Sequence, residues 1–175
     1  MCNQAPFSSR RETNLLNDEA VQYSVGLWFT LTDGRSVSSR SYILRITKEE
    51  WYRQVFTLKK YYPGVPRRWE PGVTIFLARK ADRGDSFIGY GIVEKFVERD
   101  MLSEERRQEC ERMRWKGELV FSELFKLEPP VPIKETILGG SAVRGRCLHG
   151  YPLTETQAET ILEKAKEMST FTKID

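Results

Sequence analysis

The sequence predicts an α+β fold, a small, curved, mixed β-barrel with short helices packed around it. Three observations carry this. Roughly five or six runs rich in β-branched and aromatic residues are each bounded by Gly, Pro, Asp or Ser clusters, the pattern of strands and turns. Helical patterns accompany these strands without a βαβ alternation, so a parallel doubly wound sheet is not indicated. Strands this short and this numerous suit a curved, partly closed barrel.

The elements follow in order. Residues 1–38 read as an N-terminal extension, partly disordered: residues 1–20 are polar with little periodicity. Within the extension, VQYSVGLWFTL (21–31) has the character of a strand, and Asp33-Gly34 is a hairpin-type turn signal. The main domain is expected over 39–170. SYILRIT (41–47) is its first strand, and Thr47-Lys48-Glu49-Glu50 has capping-box spacing for a short helix. In that helix Trp51, Val55 and Leu58 share one face, and Tyr61-Tyr62-Pro63-Gly64 ends it.

The centre of the chain is 64–97. Pro66-Arg67-Arg68-Trp69 and Pro71-Gly72 read as turns, and Val73–Ala78 as a strand. A charged connection over 79–85 leads to a second strand, Phe87–Phe96, so the two form a hairpin. Gly89 and Gly91 flank Tyr90 and leave the backbone open to close approach by another chain or a ligand. Residues 98–114 predict a charged helix that looks like an insertion, with Ser103-Glu104-Glu105 a favourable helix start. ELVFSELFKL (118–127) is a strand, and the prolines of EPPVPIKET cannot continue it in the middle of a sheet. A glycine turn precedes a last strand, Ala142–Leu148, and an amphipathic helix over 154–168 turns Ala158, Ile161, Leu162 and Ala165 inward.

Composition narrows the function less than it narrows the fold. With 28 Lys+Arg against 25 Asp+Glu the net charge is +3, which permits nucleic-acid binding without demonstrating it. Basic residues concentrate at 59–83 and 144–146, acids at 98–111 and 155–167. Three widely spaced cysteines with no CxxC pair, and no leader after Met1, favour a reducing cytoplasm. No apolar stretch reaches the length of a membrane span. Zinc would need four ligands in recognisable spacing and none is present, so no metal or cofactor is expected.

The order Tyr42-Ile-Leu-Arg-Ile-Thr, Trp51, Gly64-Val65-Pro66-Arg67-Arg68, Pro71-Gly72, Phe87-Ile-Gly-Tyr-Gly, the strand ending at Leu127, and a Gly-Ser-Arg segment before the last helix resembles the PUA-like superfamily, in its EVE and YTH-like branch. The likeness spans roughly residues 40–168. It implies a barrel that binds RNA or DNA by holding a single, modified base in an aromatic-walled pocket. The related ASCH branch implies a nucleobase-directed hydrolase instead, but its GxKxxExR signature is absent.

Candidate residues follow. Trp69, beside Arg67 and Arg68, is either core or a stacking surface for a base. Tyr42 and Tyr90 either line the same pocket or pack across strands, Trp51 reads as core, and Trp28 receives no role. Arg67, Arg68, Arg144 and Arg146 are the phosphate candidates, because guanidinium matches phosphate bidentately. Gly139-Gly140-Ser141 offers backbone N–H groups to an anion or a base edge. The hydrolase reading would use Lys80 or Glu94 as acid/base groups, and Cys147 with His149 is a conceivable thiolate–imidazole couple that lacks an orienting acid. A third reading is a protein-interaction domain that docks a basic partner on the acidic 98–114 helix.

Overall fold

The computed structural model of the protein describes residues 40–175. The strand expected at 21–31, Trp28 and the Asp33-Gly34 turn lie outside the described residues. What is described is a mixed seven-stranded sheet with three α-helices. In chain order these are β1 Ser41–Arg45, α1 Glu49–Leu58, β2 Lys60–Tyr61, β3 Thr74–Ala81, β4 Gly84–Glu98, α2 Glu104–Met113, β5 Gly117–Pro132, β6 Tyr151–Leu153, α3 Glu155–Met168 and β7 Thr170–Lys173. The strand order is β2-β5-β4-β3-β1-β6, with β7 also pairing β5. β1 runs parallel to β3, and the other pairs are antiparallel. No ladder joins β6 to β2, so the sheet is open among the described residues and does not close into the expected barrel.

Side-chain alternation along β1 and β3 sorts the core onto two faces. Tyr42, Leu44, Ile46, Ile75 and Leu77 belong to one cluster, with Val55 of α1. Ile43, Phe76 and Ala78 belong to the other, with Ala158, Ile161 and Ala165 of α3. Each face is therefore covered by one helix. The Ala158, Ile161, Ala165 stripe is the one its spacing predicts, and Thr154 caps α3 in a complete capping box with Gln157. At α1 the N-cap is Lys48 and makes no side-chain cap bond, so the Thr47 capping box does not form. Leu58, expected on the inner face, is exposed.

The central hairpin is longer and tighter than expected. β3 and β4 pair from Thr74↔Ile92 to Ala81↔Gly84, leaving only Asp82 and Arg83 as the loop. Gly89 and Gly91 do not leave room for a ligand. A Cβ at Gly89 would lie 2.9 Å from Phe56 Cζ and collide with the Phe125 carbonyl; one at Gly91 would lie 2.6 Å from Phe121 Cδ1. The close approach these glycines permit is that of β5 and α1 of the same chain.

Three further expectations are corrected. β5 runs on through Pro129, Pro130 and Pro132. The first two prolines fall where the β4–β5 register slips between Phe87 and Gly89, a bulge at which no ladder N–H is required. The strand expected at Ala142–Leu148 is a 3₁₀ turn, Gly145–Leu148, followed by β6. The helix expected at 98–114 is shorter, because β4 extends to Glu98 and a 3₁₀ turn, Arg99–Met101, precedes α2.

Candidate functional site

Three segments that are distant in sequence meet at one end of the sheet. The first is the loop between β2 and β3. Val73 N–H donates to Glu70 O (3.2 Å) across Pro71-Gly72, and Gly72 has φ +85°, the conformation a type II turn requires at that position. This turn folds Trp69 inward until its ring meets the edge of Tyr42 at 5.4 Å. The second is the end of β4 with its 3₁₀ turn. The third is the exit from α2, where Arg114 takes a left-handed conformation (φ 59°) and closes the helix. Lys116 N–H then donates to Pro63 O (2.9 Å), and Arg99 N–H to Lys116 O (3.1 Å), which locks the three segments together.

Between them lies a cleft of about 260 Å³ lined by Pro66, Arg67, Trp69, Phe96, Glu98, Arg99, Asp100, Trp115 and Lys116. Its size is just below the roughly 300–1,000 Å³ of sites for drug-sized ligands, and suits one planar ring system. Three aromatic side chains, three cations and two carboxylates line it. Asp100 is engaged with Arg99 Nε at 3.4 Å.

One wall is braced from behind. Trp115 stacks on Tyr62 at 5.1 Å and meets the edge of Trp51 at 5.7 Å. The Tyr62 hydroxyl donates to Glu118 Oε2 (2.7 Å), and Lys60 Nζ lies 2.8 Å from Glu118 Oε1. Burial works against the charge on Glu118, but the Lys60 ammonium and the Tyr62 hydroxyl outweigh it and hold the carboxyl below its usual range. Burial, and then the Glu118 carboxylate, push the Tyr62 phenol well above its ordinary value. Glu118 thus remains a carboxylate and Tyr62 a neutral donor, the state in which the brace is intact.

The opposite wall carries an unpaired group. Trp69 is 6% exposed, and its indole Nε1–H has no hydrogen-bond partner among the described residues. A buried donor left unmade costs about 1–3 kcal/mol. Trp69 belongs to the core cluster of Tyr42, Val73 and Val93 and also lines the cleft.

The other sequence-derived candidates scatter. Tyr42 is buried behind Trp69 and does not line the cleft. Tyr90 lies on the opposite face, stacked on Phe125 at 4.9 Å, where burial and then Glu123 push its phenol up to about 12. The two tyrosines therefore cannot form one pocket. Arg67 lines the cleft and donates from Nε to Gly150 O (2.9 Å), which ties its loop to the segment that carries Arg144 and Arg146. Arg68, Arg144 and Arg146 are exposed. The Gly139 and Ser141 amides donate to Thr136 O and Leu138 O, and Ser141 Oγ donates to Leu138 O (2.8 Å). Those groups are consumed by the local turn and do not form an anion nest.

The catalytic alternatives do not assemble. Lys80 pairs with Asp85 near the hairpin tip, whereas Glu94 lies beyond Ile92, the partner of Thr74. At about 3.3 Å per residue this puts them about 20 Å apart or more along the hairpin. His149 Nδ1 accepts the Arg45 N–H (3.2 Å), so that nitrogen is not free to activate Cys147. The acids of α2 are partly neutralised on the helix itself, Glu104 by Arg107 and Glu109 by Arg106.

Phe96, Glu98, Arg99, Asp100, Trp115 and Lys116 are the cleft residues that sequence reasoning missed. The signal for the last pair was an aromatic beside a lysine at a helix-to-strand turn, Trp115-Lys116-Gly117. No family model, curated protein or solved structure matches the chain. No helix among the described residues is long and apolar enough to cross a membrane.

Proposed function

We propose that the protein is a nucleic-acid-binding module that takes a single base of RNA or DNA, a modified one, into the cleft between Trp69, Phe96 and Trp115. The observation that carries this is the lining itself: aromatic walls on which a ring can stack, with Arg67, Arg99 and Lys116 at hand for phosphate. The open Glu98 carboxylate supplies an acceptor for the edge of the base. In the same reading the mixed, bulged sheet is that of a PUA-like domain.

The test is a titration of wild type, Phe96→Ala and Trp69→Phe against a panel of modified and unmodified nucleosides and short oligonucleotides. Loss of one stack should lower affinity for the preferred base roughly tenfold to a hundredfold in Phe96→Ala. Trp69→Phe keeps an aromatic side chain in the core but shrinks the stacking face, so the preferred base binds more weakly while the fold survives. Affinity unaltered in both variants would sink the proposal.

A further inference from the structure

Ion pairs hold some of the cations on the described surface and leave others, such as Arg144 and Arg146, open. Away from the cleft many are ion-paired: Arg53 and Arg79 with Glu49, Arg45 with Asp85, Arg83 with Glu135, Lys164 with Glu167. Around its mouth, among the described residues, Arg99 pairs with Asp100 and four other cations do not pair. Arg68, Arg114 and Lys116 are exposed and have no ion-pair partner among the described residues, and the Arg67 guanidinium bonds only to the Pro66 and Gly150 carbonyls. These four stand on two lips. Arg67 and Arg68 belong to the loop before Trp69. Arg114 and Lys116 belong to the exit from α2, which Lys116 N–H and Pro63 O fasten against the base of that loop.

We infer that the ligand is a nucleotide inside a single strand, which straddles the cleft with one flanking phosphate on the Arg67–Arg68 lip and the other on the Arg114–Lys116 lip. This rests on the base-binding reading above. The charge pattern supports it in two ways. A nucleotide within a chain has a phosphate on each side, and the two lips offer free cations on each side of one cleft. Within the cleft, Glu98 and Asp100 disfavour a phosphate and leave the space to the uncharged base. A single strand fits better than a duplex, because drawing a paired base out of its stack costs a few kcal/mol that an unpaired base is spared.

The experiment compares a labelled trinucleotide with the nucleoside of its central base over a salt series. The variants are Arg114→Gln with Lys116→Gln, and Arg68→Gln, all exposed positions, with melting followed in parallel. For two phosphate contacts the trinucleotide affinity should fall with a log–log slope near −1.4, about −0.7 for each. The Arg114/Lys116 variant should shallow that slope by about 0.7, and Arg68→Gln, outside the cleft lining, should shallow it too while leaving nucleoside binding unchanged. A trinucleotide that binds no tighter than its nucleoside, or a slope the variants do not alter, overturns the straddling strand and leaves base recognition standing. Salt-dependent oligonucleotide binding without nucleoside binding, indifferent to Phe96→Ala, removes the base cleft and this inference with it. Equal binding of a poly-glutamate peptide would also overturn it.

Discussion

At the scale of single residues, the groups that matter are those whose polar atoms the fold has committed. His149 is the one histidine of the chain. Burial first, and then the Arg45 charge, lower its pKa below the ordinary value. Its Nδ1 also faces the Arg45 N–H, so a proton there would set donor against donor. Because the folded pKa is depressed, the unfolded chain binds the proton more readily. The stabilisation is complete above about pH 6.5 and is lost as pH falls through the folded value, with a slope of at most about 1.4 kcal/mol per pH unit for one proton. Denaturant melts between pH 7.5 and 5 should show this fall, and His149→Gln should flatten it. A wild-type profile that stays level across that window would contradict the burial argument.

Trp69 teaches the converse lesson. Its neighbours in sequence are charged or turn-forming, and nothing at that level reveals that Tyr42 and Val93 will enclose it. Removing the side chain outright would leave a core cavity, which for Trp→Ala costs about 3–5 kcal/mol. For that reason Trp69→Phe, not Trp69→Ala, separates binding from folding.

At the scale of elements, the loops and the helix exit build the cleft, and β2 with β5 holds its wall upright. The chain Lys60–Glu118–Tyr62 ends on the back of Trp115, so Glu118 acts on the cleft only through the position of that ring. Tyr62→Phe keeps the stack and removes the hydroxyl. Glu118→Gln keeps the shape and removes the charge. Each should cost about 1–3 kcal/mol of stability at neutral pH, the usual effect of breaking a buried hydrogen bond to a charged group. Glu118→Gln should also blunt acid unfolding, since the lowered carboxyl pKa contributes stability that disappears as pH falls through the folded value. A positioning role further requires that Trp115 emission shift in both variants and that base affinity drop. Unchanged emission and unchanged affinity, with only stability lost, would make the network purely structural.

The same scale shows what was legible. The α3 stripe, the β3–β4 hairpin and the Pro71-Gly72 turn could be read because each depends on residues within a few positions of one another. The β5 extension could not. Pro129 and Pro130 are tolerated because β5 itself bulges there against Ile88 of β4, and a bulge is a property of two strands.

At the scale of the molecule, one sheet serves two cores. β1 and β3 contribute alternate residues to both clusters, so neither face can be lost while the other persists. Leu44→Ala on the α1 face and Ile161→Ala on the α3 face should each cost about 2–5 kcal/mol. Either should lower one shared transition, by about 2–4 °C per kcal/mol for a chain of this size. Separate transitions by fluorescence and far-ultraviolet dichroism would show that the faces unfold independently.

The α+β class, most strands, both amphipathic helices and the presence of a basic aromatic loop at Arg67-Arg68-Trp69 were determined by the sequence alone. They follow from periodicity, turn chemistry and local charge, which act over a handful of residues. Tertiary structure alone decided that the sheet stays open among the described residues, that Gly89 and Gly91 admit β5 and α1 instead of a ligand, and that Tyr42 and Tyr90 face opposite ways. It also decided that Phe96 and Trp115, and not the tyrosines, line the cleft with Trp69. The reason is that a cleft is made by side chains from segments whose separation in sequence carries no record of their register, and register is set only when the strands pair.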